Sequence, residues 1–190
     1  MTNYVRINKL SKAQQAFTSA LLDLMKKKPY KDITVSELSE YCGYDRRTYY
    51  RYFKTMDDVI RLHCAYLLKE MAEIMIAKGV LTPETGFLSY FEFWDRHRDF
   101  LNLLDQQGLL YFLGELQDSL LYQQVGLSMH SDLPDELSDT SEFSQFAFHF
   151  MLGGVWSSLV FWVRSGMKQS PEQLTKHILN SLTEMAKLIK

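Results

Sequence analysis

Apolar residues recur at spacings of three and four along nearly the whole chain, and the strict alternation that marks a half-buried strand is almost absent. The pattern predicts an all-α protein of about nine helices. Ala13, Phe17, Ala20, Leu21, Leu24 and Met25 form one stripe of a first helix. Lys26, Lys27 and Lys28 follow and Pro29 ends it, which places cations where the helix dipole favours them. Thr34 and Glu37 have the spacing of a capping box and open a short second helix, about Val35 to Cys42. Gly43, suited to the left-handed conformation, closes it, and Asp45 caps a third helix reaching Tyr52. Two short helices about a glycine turn are the outline of a helix-turn-helix. Asp57 and Asp58 start a long fourth helix to about Lys78. Breaker residues then divide the remainder into helices near 84–105, 109–125, 139–165 and 172–189.

The third helix is the most informative element. At 100 degrees per residue, Arg46, Arg47, Tyr50 and Arg51 share one arc of about 140 degrees, while Tyr49 and Phe53 point toward a core. A cationic face on a short helix is often no more than a solvated surface, and here the charge distribution changes that picture. The net charge is only -2, yet residues 1–56 carry 11 Lys or Arg against 5 Asp or Glu, and residues 57–190 carry 10 against 18. A basic end on an acidic body is the asymmetry expected when one end meets a polyanion. Arg donates two parallel hydrogen bonds that match the O6 and N7 acceptors of guanine, so Arg46 and Arg47 are the expected base readers. Tyr50, Arg51, Tyr52 and Lys54 are expected to hold phosphates, together with Thr34 and Ser36 at the start of the second helix, and Thr48 completes the expected DNA-binding set.

The stretch Ile33 to Val59, ITVSELSEYCGYDRRTYYRYFKTMDDV, resembles the DNA-binding domain of the TetR family of bacterial regulators. Thr34, Gly43, Tyr50 and Phe53 sit where that family places a Thr-initiated helix, a glycine turn, a Tyr and a Phe. One position departs: the Lys usual at the start of the family's fourth helix is Met56 here, which implies a missing phosphate contact. The stretch GGVWSSLVFWVRSGMKQSPEQL, Gly153 to Leu174, is similar to the branch of the family that includes activators of dihydroxyacetone kinase operons. The resemblance implies residues 1–56 as a helix-turn-helix DNA-binding domain and residues 57–190 as a helical ligand-binding and dimerisation domain.

Helix-turn-helix proteins commonly bind palindromic operators as dimers, so a self-association surface is expected. Gly153 with Ser157, and Gly154 with Ser158, make small pairs four apart that allow close helix approach, flanked by Trp156, Val160 and Phe161. With Leu182 on the last helix, these are the expected interface residues, and the resemblance implies a four-helix bundle there. Between residues 87 and 163 lie 16 of the 26 aromatic residues. Core packing and an apolar ligand pocket both account for that richness; the resemblance implies the pocket, with Phe87, Phe91, Trp94, Tyr111, Phe112, Tyr122 and Phe150 as its candidate lining.

The remaining chemistry is sparse. Cys42 and Cys64 lack CxxC spacing, and the five histidines include no pair four apart, so neither a disulfide framework nor a metal site is expected. Asp95, His97 and Asp99, two apart, diverge around a helix. No phosphate-cradling glycine loop, dinucleotide fingerprint or nucleophile motif appears, which argues against an enzyme and against a cofactor. The apolar run Phe146 to Val163 approaches the length of a membrane span, but it holds His149, Gly153, Gly154, Ser157 and Ser158 and reads as a buried helix. With no apolar leader at Met1 to Leu10, the expected location is the cytoplasm. The expected partners are double-stranded DNA bearing a palindromic operator, a second copy of the chain and an apolar small-molecule effector. The alternative is an interaction protein of the same fold that acts through a partner regulator.

Overall fold

The computed structural model describes residues 10–79, 82–121 and 141–188, and among them every regular element is helical. Helix α1 spans Lys12–Met25, a 3-10 turn spans Tyr30–Asp32, α2 spans Val35–Cys42, α3 spans Arg46–Tyr52 and α4 spans Met56–Ala77. They are followed by α5, Pro83–Arg96, α6, Arg98–Gln106, and α7, Leu110–Leu121. The last two are α8, Ser141–Arg164, and α9, Pro171–Leu188.

Most helix starts are written locally. Ser11 and Gln14 form a reciprocal capping box on α1, Thr55 and Asp58 on α4, and Thr82 and Thr85 on α5 behind Pro83. Asp45 accepts the Thr48 backbone N–H at 2.6 Å, and the Ser170 hydroxyl accepts that of Gln173 at 3.3 Å. The expected box at Thr34 is only half made. Thr34 Oγ1 accepts the Glu37 backbone N–H at 3.2 Å, but the Glu37 carboxylate turns to the Lys28 ammonium instead of back to the cap. A neighbouring cation outcompetes a neutral N–H for a carboxylate.

The segment expected as one helix over 84–105 is two, α5 and α6, with the break at His97. No Pro or Gly marks it. The change of direction at His97 lets Phe100, Leu101, Leu103 and Leu104 all bury, while the His97 ring packs 4.5 Å from that of Phe93.

Helix α4 is the spine. It packs against α1 at its start and against α7 and α5 further on, while α8 lies on α6 and α7 and α9 on α5. Val59, Ile60, Cys64, Leu67, Leu68 and Met71 of α4 are buried, and one continuous apolar cluster runs from Ala13 to Met167. Among the described residues no helix is long and apolar enough to cross a membrane. The Phe146–Val163 run lies in α8, where Leu152, Val155, Leu159, Trp162 and Val163 are buried against the other helices.

Candidate nucleic-acid interface

The site is built on Phe17. Its ring, fully buried in α1, meets Tyr49 edge-on at 5.5 Å and Phe53 edge-on at 6.0 Å, and lies 5.5 Å from Tyr44. These edge-to-face contacts fix the inner side of α3 and the turn before it. Gly43 shapes the turn. At φ +73 it adopts the left-handed conformation, its N–H bonds to Glu40 O at 3.2 Å, and the Tyr44 N–H bonds to Ser39 O at 3.0 Å, the paired bonds that close a helix on a glycine.

With Tyr49 and Phe53 turned inward, the opposite face of α3 faces solvent. Arg46, Arg47, Tyr50, Arg51 and Tyr52 are exposed and Thr48 is half-buried. The Arg51 guanidinium stacks 4.9 Å from the Tyr52 ring centroid, which ties those two side chains into one planar surface. At the end of α1 Lys26 pairs with Asp23 and Lys28 with Glu37, while the Lys27 ammonium donates to the Tyr41 hydroxyl at 3.1 Å. Among the described residues no carboxylate forms an ion pair with Arg46, Arg47, Arg51 or Lys54. Asp45 alone is close, and it is spent on the cap: the Thr48 backbone N–H, the Thr48 hydroxyl and, more weakly, Arg47 and Arg51 hold its carboxyl below the usual range. The outer face of α3 therefore carries three exposed guanidinium groups with no carboxylate partner among the described residues.

Thr34 and Ser36 are exposed at the start of α2. The start of α4 is closed to an anion. Asp58 Oδ2 accepts the backbone N–H groups of Lys54 and Thr55 at 2.7 and 2.8 Å, and Asp57 Oδ1 accepts the Tyr30 hydroxyl at 2.6 Å. Met56 packs on the core. The start of α2, the outer face of α3 and the Lys54 side chain are open to solvent.

A protein-family model for bacterial regulatory proteins of the tetR family matches residues 17–61, and a TetR model described as a transcriptional regulator C-terminal region matches residues 82–184. The chain belongs to the TetR family. It is a DNA-binding transcription regulator, and dimerism and ligand control are typical of the family. Solved TetR-type structures share its fold. A TetR-family transcriptional regulator from Streptomyces coelicolor superposes with a TM-score of 0.55 at 16% identity, covering 92% of this chain and 83% of that one. The fatty acid degradation regulator FadR from Bacillus halodurans gives 0.58 at 16% identity, covering 90% and 94%. The dihydroxyacetone kinase operon activator DhaS gives 0.51 at 18% identity, covering 93% and 97%. At such identities the likeness is one of fold. No curated protein sequence matches the chain.

In the TetR body the structure scatters the aromatic residues that the sequence groups together. Phe87, Phe91, Trp94 and Phe112 are buried in the core, with Phe91 edge-on to Trp162 at 5.8 Å. Tyr111 and Phe150 stand outside it, 49% and 75% exposed, because each lies on the solvent side of its helix. Tyr122 falls outside the described residues. A polar thread that the sequence reading missed crosses the same core. The Tyr90 hydroxyl donates to Gln117 Oε1 at 2.6 Å, and Gln117 Nε2 donates to Leu152 O at 3.5 Å, joining α5, α7 and α8.

The outer face of α8 is continuous. Gly153, Gly154, Ser157 and Phe161 are exposed in line with Phe146 and Phe150, and Val160 is half-buried beside them. Leu182 is exposed on α9 with Met185 and Leu188. Trp156 departs from the expected interface. Its ring turns inward onto α7, where a Cβ at Gly114 would sit 2.8 Å from the indole, so the small residue that matters for this close approach is Gly114.

Proposed function

We propose that the protein is a cytoplasmic homodimeric regulator that sets one α3 in each of two successive major grooves of a palindromic operator and releases it in response to a small apolar effector. Arg46 and Arg47 read guanine edges. Thr48, Tyr50, Arg51, Tyr52 and Lys54, with Thr34 and Ser36, hold the flanking phosphates. The functional boundary falls near residue 56, with DNA contact before it and dimerisation and effector binding after it, and no catalytic role is assigned. The single observation that carries the reading is the unpaired cationic face of α3 mounted on the Phe17 cluster. Such a face meets a polyanion at little cost, since no internal ion pair has to break.

The dimer reading is supported by the stripe Phe146, Phe150, Gly153, Ser157, Phe161 on α8 and by Leu182 and Met185 on α9. Large exposed aromatics aligned on one helix face are what a second copy covers. Met56 and the two aspartates at the start of α4 favour a second reading, a co-regulator with weak DNA contact of its own. A mobility shift with purified protein and DNA from upstream of its own gene separates the two. Sequence-specific retardation, outcompeted by the same fragment and not by unrelated DNA, supports the first; its absence supports the second.

A further inference from the structure

Among the described residues, every hydrogen bond between residues 10–55 and the helices beyond α4 is made by one side chain, Gln107. It sits in the turn between α6 and α7. Its Nε2 donates to Met25 O at 2.8 Å and to Lys28 O at 3.4 Å, and its Oε1 accepts the Tyr30 backbone N–H at 2.8 Å. Met25 O belongs to the last turn of α1, where helical geometry leaves oxygens without an intrahelical partner, and Lys28 O belongs to the turn that leads from α1 to the 3-10 turn. A single amide thus closes the end of α1 and the start of the 3-10 turn at once. The Tyr30 hydroxyl passes the connection on to Asp57 in the first turn of α4, at 2.6 Å.

The turn that presents Gln107 is stiff. Gly108 adopts the left-handed conformation at φ +71, the Leu109 N–H bonds to Leu104 O at 2.7 Å, and Leu109 and Leu110, which follow, are buried in the core. Phe17 and Met25 belong to the same helix, and Phe17 carries α3. The path from the α6–α7 turn to the cationic face therefore runs through a fixed amide, the end of α1 and a packed ring. It is separate from the packing of α4 on α7, where Arg61 pairs with Glu115 and lies over the Phe112 ring.

We propose that Gln107 is a positioning residue through which the body sets the orientation of the DNA-binding helices, with Tyr30 as its receiver. A shift of the α6–α7 turn then reaches α1, the 3-10 turn and the start of α4 together. The inference rests on the reading of α1–α3 as the DNA-reading unit, and its test measures geometry in the absence of DNA. Failure of the mobility shift would remove the reading and leave the distances standing.

The test uses the full chain with nitroxide labels at Glu40→Cys on α2 and Lys176→Cys on α9, in a Cys42→Ser background, mixed with excess unlabelled chain so that only distances within one chain are read. Wild-type protein is expected to give one narrow distance distribution. Gln107→Ala is expected to broaden it or add a second population and to speed exchange of the Tyr30 amide by about tenfold or more, with little change in melting temperature. Unchanged distances and exchange overturn the proposal. A fall in melting temperature with unchanged distances also overturns it, because a merely structural glutamine behaves that way. Should Gln107→Ala fail to fold, the isosteric Gln107→Glu keeps an acceptor for Tyr30 and sets a carboxylate against two carbonyls. It must broaden the same distribution, or the proposal fails.

Discussion

Arg46 and Arg47 owe their exposure to their neighbours, since Tyr49 and Phe53 take the inner side of a two-turn helix and leave the arginines no direction but outward. Replacing either arginine with Ala is expected to cost about 1–3 kcal/mol of operator binding and to relax preference at one base pair. Tyr50→Phe is expected to weaken binding evenly over all sequences; fluorescence anisotropy against a set of singly altered operators distinguishes the two patterns. Tyr49 behaves differently. Its hydroxyl is buried with no hydrogen-bond partner among the described residues, and burial pushes its pKa up to about 12. Tyr49→Phe should raise stability by about 1 kcal/mol in urea denaturation and leave DNA binding intact. The inward and outward assignments of α3 were legible from its periodicity alone. The influence of His97 on His63 was not, because 33 intervening positions hide it.

His63 makes stability depend on pH in a definite direction. Burial, reinforced by the charge of nearby His97, lowers His63 to about 4, and its ring lies edge-on to Phe100 at 4.8 Å. In the unfolded chain the imidazole takes a proton near its ordinary value, about 6.5. Between the two values the unfolded state binds the extra proton, so stability contributed here is complete above about 6.5 and is lost as pH falls toward 4. The expected slope is at most about 1.4 kcal/mol per pH unit. His63→Leu should flatten it in denaturation curves taken across that range, and an unchanged slope would assign the dependence elsewhere.

At the scale of elements, two glycines carry different burdens. Gly43 needs its left-handed backbone, so Gly43→Ala should cost about 1–2 kcal/mol although open space surrounds it. Gly114 has ordinary helical geometry and lacks room instead; Gly114→Ala should cost about 1–3 kcal/mol through the Trp156 ring, with part of the loss recovered in a Trp156→Leu background. Chemical denaturation of the four proteins measures both the cost and the recovery. Gly43 was readable in the sequence because it stood between a capping residue and a new cap. Gly114 was not, since a glycine inside an apolar helix announces no partner, and Trp156 was assigned to the interface on spacing alone. The division of 84–105 was likewise silent: a histidine, not a breaker, bends the chain, and the gain that bends it is the burial of Phe100 and its neighbours.

At the scale of the whole molecule, charge and apolarity are segregated. Three arginines without a carboxylate partner share the outer face of α3, and among the described residues the exposed phenylalanines all lie on α8. Phe161→Glu, at a side chain 70% exposed and without a role in the core, is expected to yield monomers in sedimentation velocity and to lower operator affinity steeply while leaving helix content unchanged. The division of charge was visible in composition; of the α8 stripe, spacing offered Gly153, Ser157 and Phe161, whereas Phe150 was read as a pocket residue and Phe146 as part of a buried helix. The grip of Gln107 on α1 was not, because it joins positions about 80 residues apart through one uncharged amide, for which sequence carries no local sign.

The claim on which the account turns is that the outer face of α3 reads DNA. Its most direct measurement is a titration of wild-type protein and the Arg46→Ala/Arg47→Ala double variant against DNA from upstream of the protein's own gene, at two salt concentrations. The account predicts that wild type protects two half-sites about one helical turn apart, roughly 34 Å, while the double variant loses sequence preference and keeps only weak, salt-sensitive binding. A double variant with wild-type affinity and preference would contradict it.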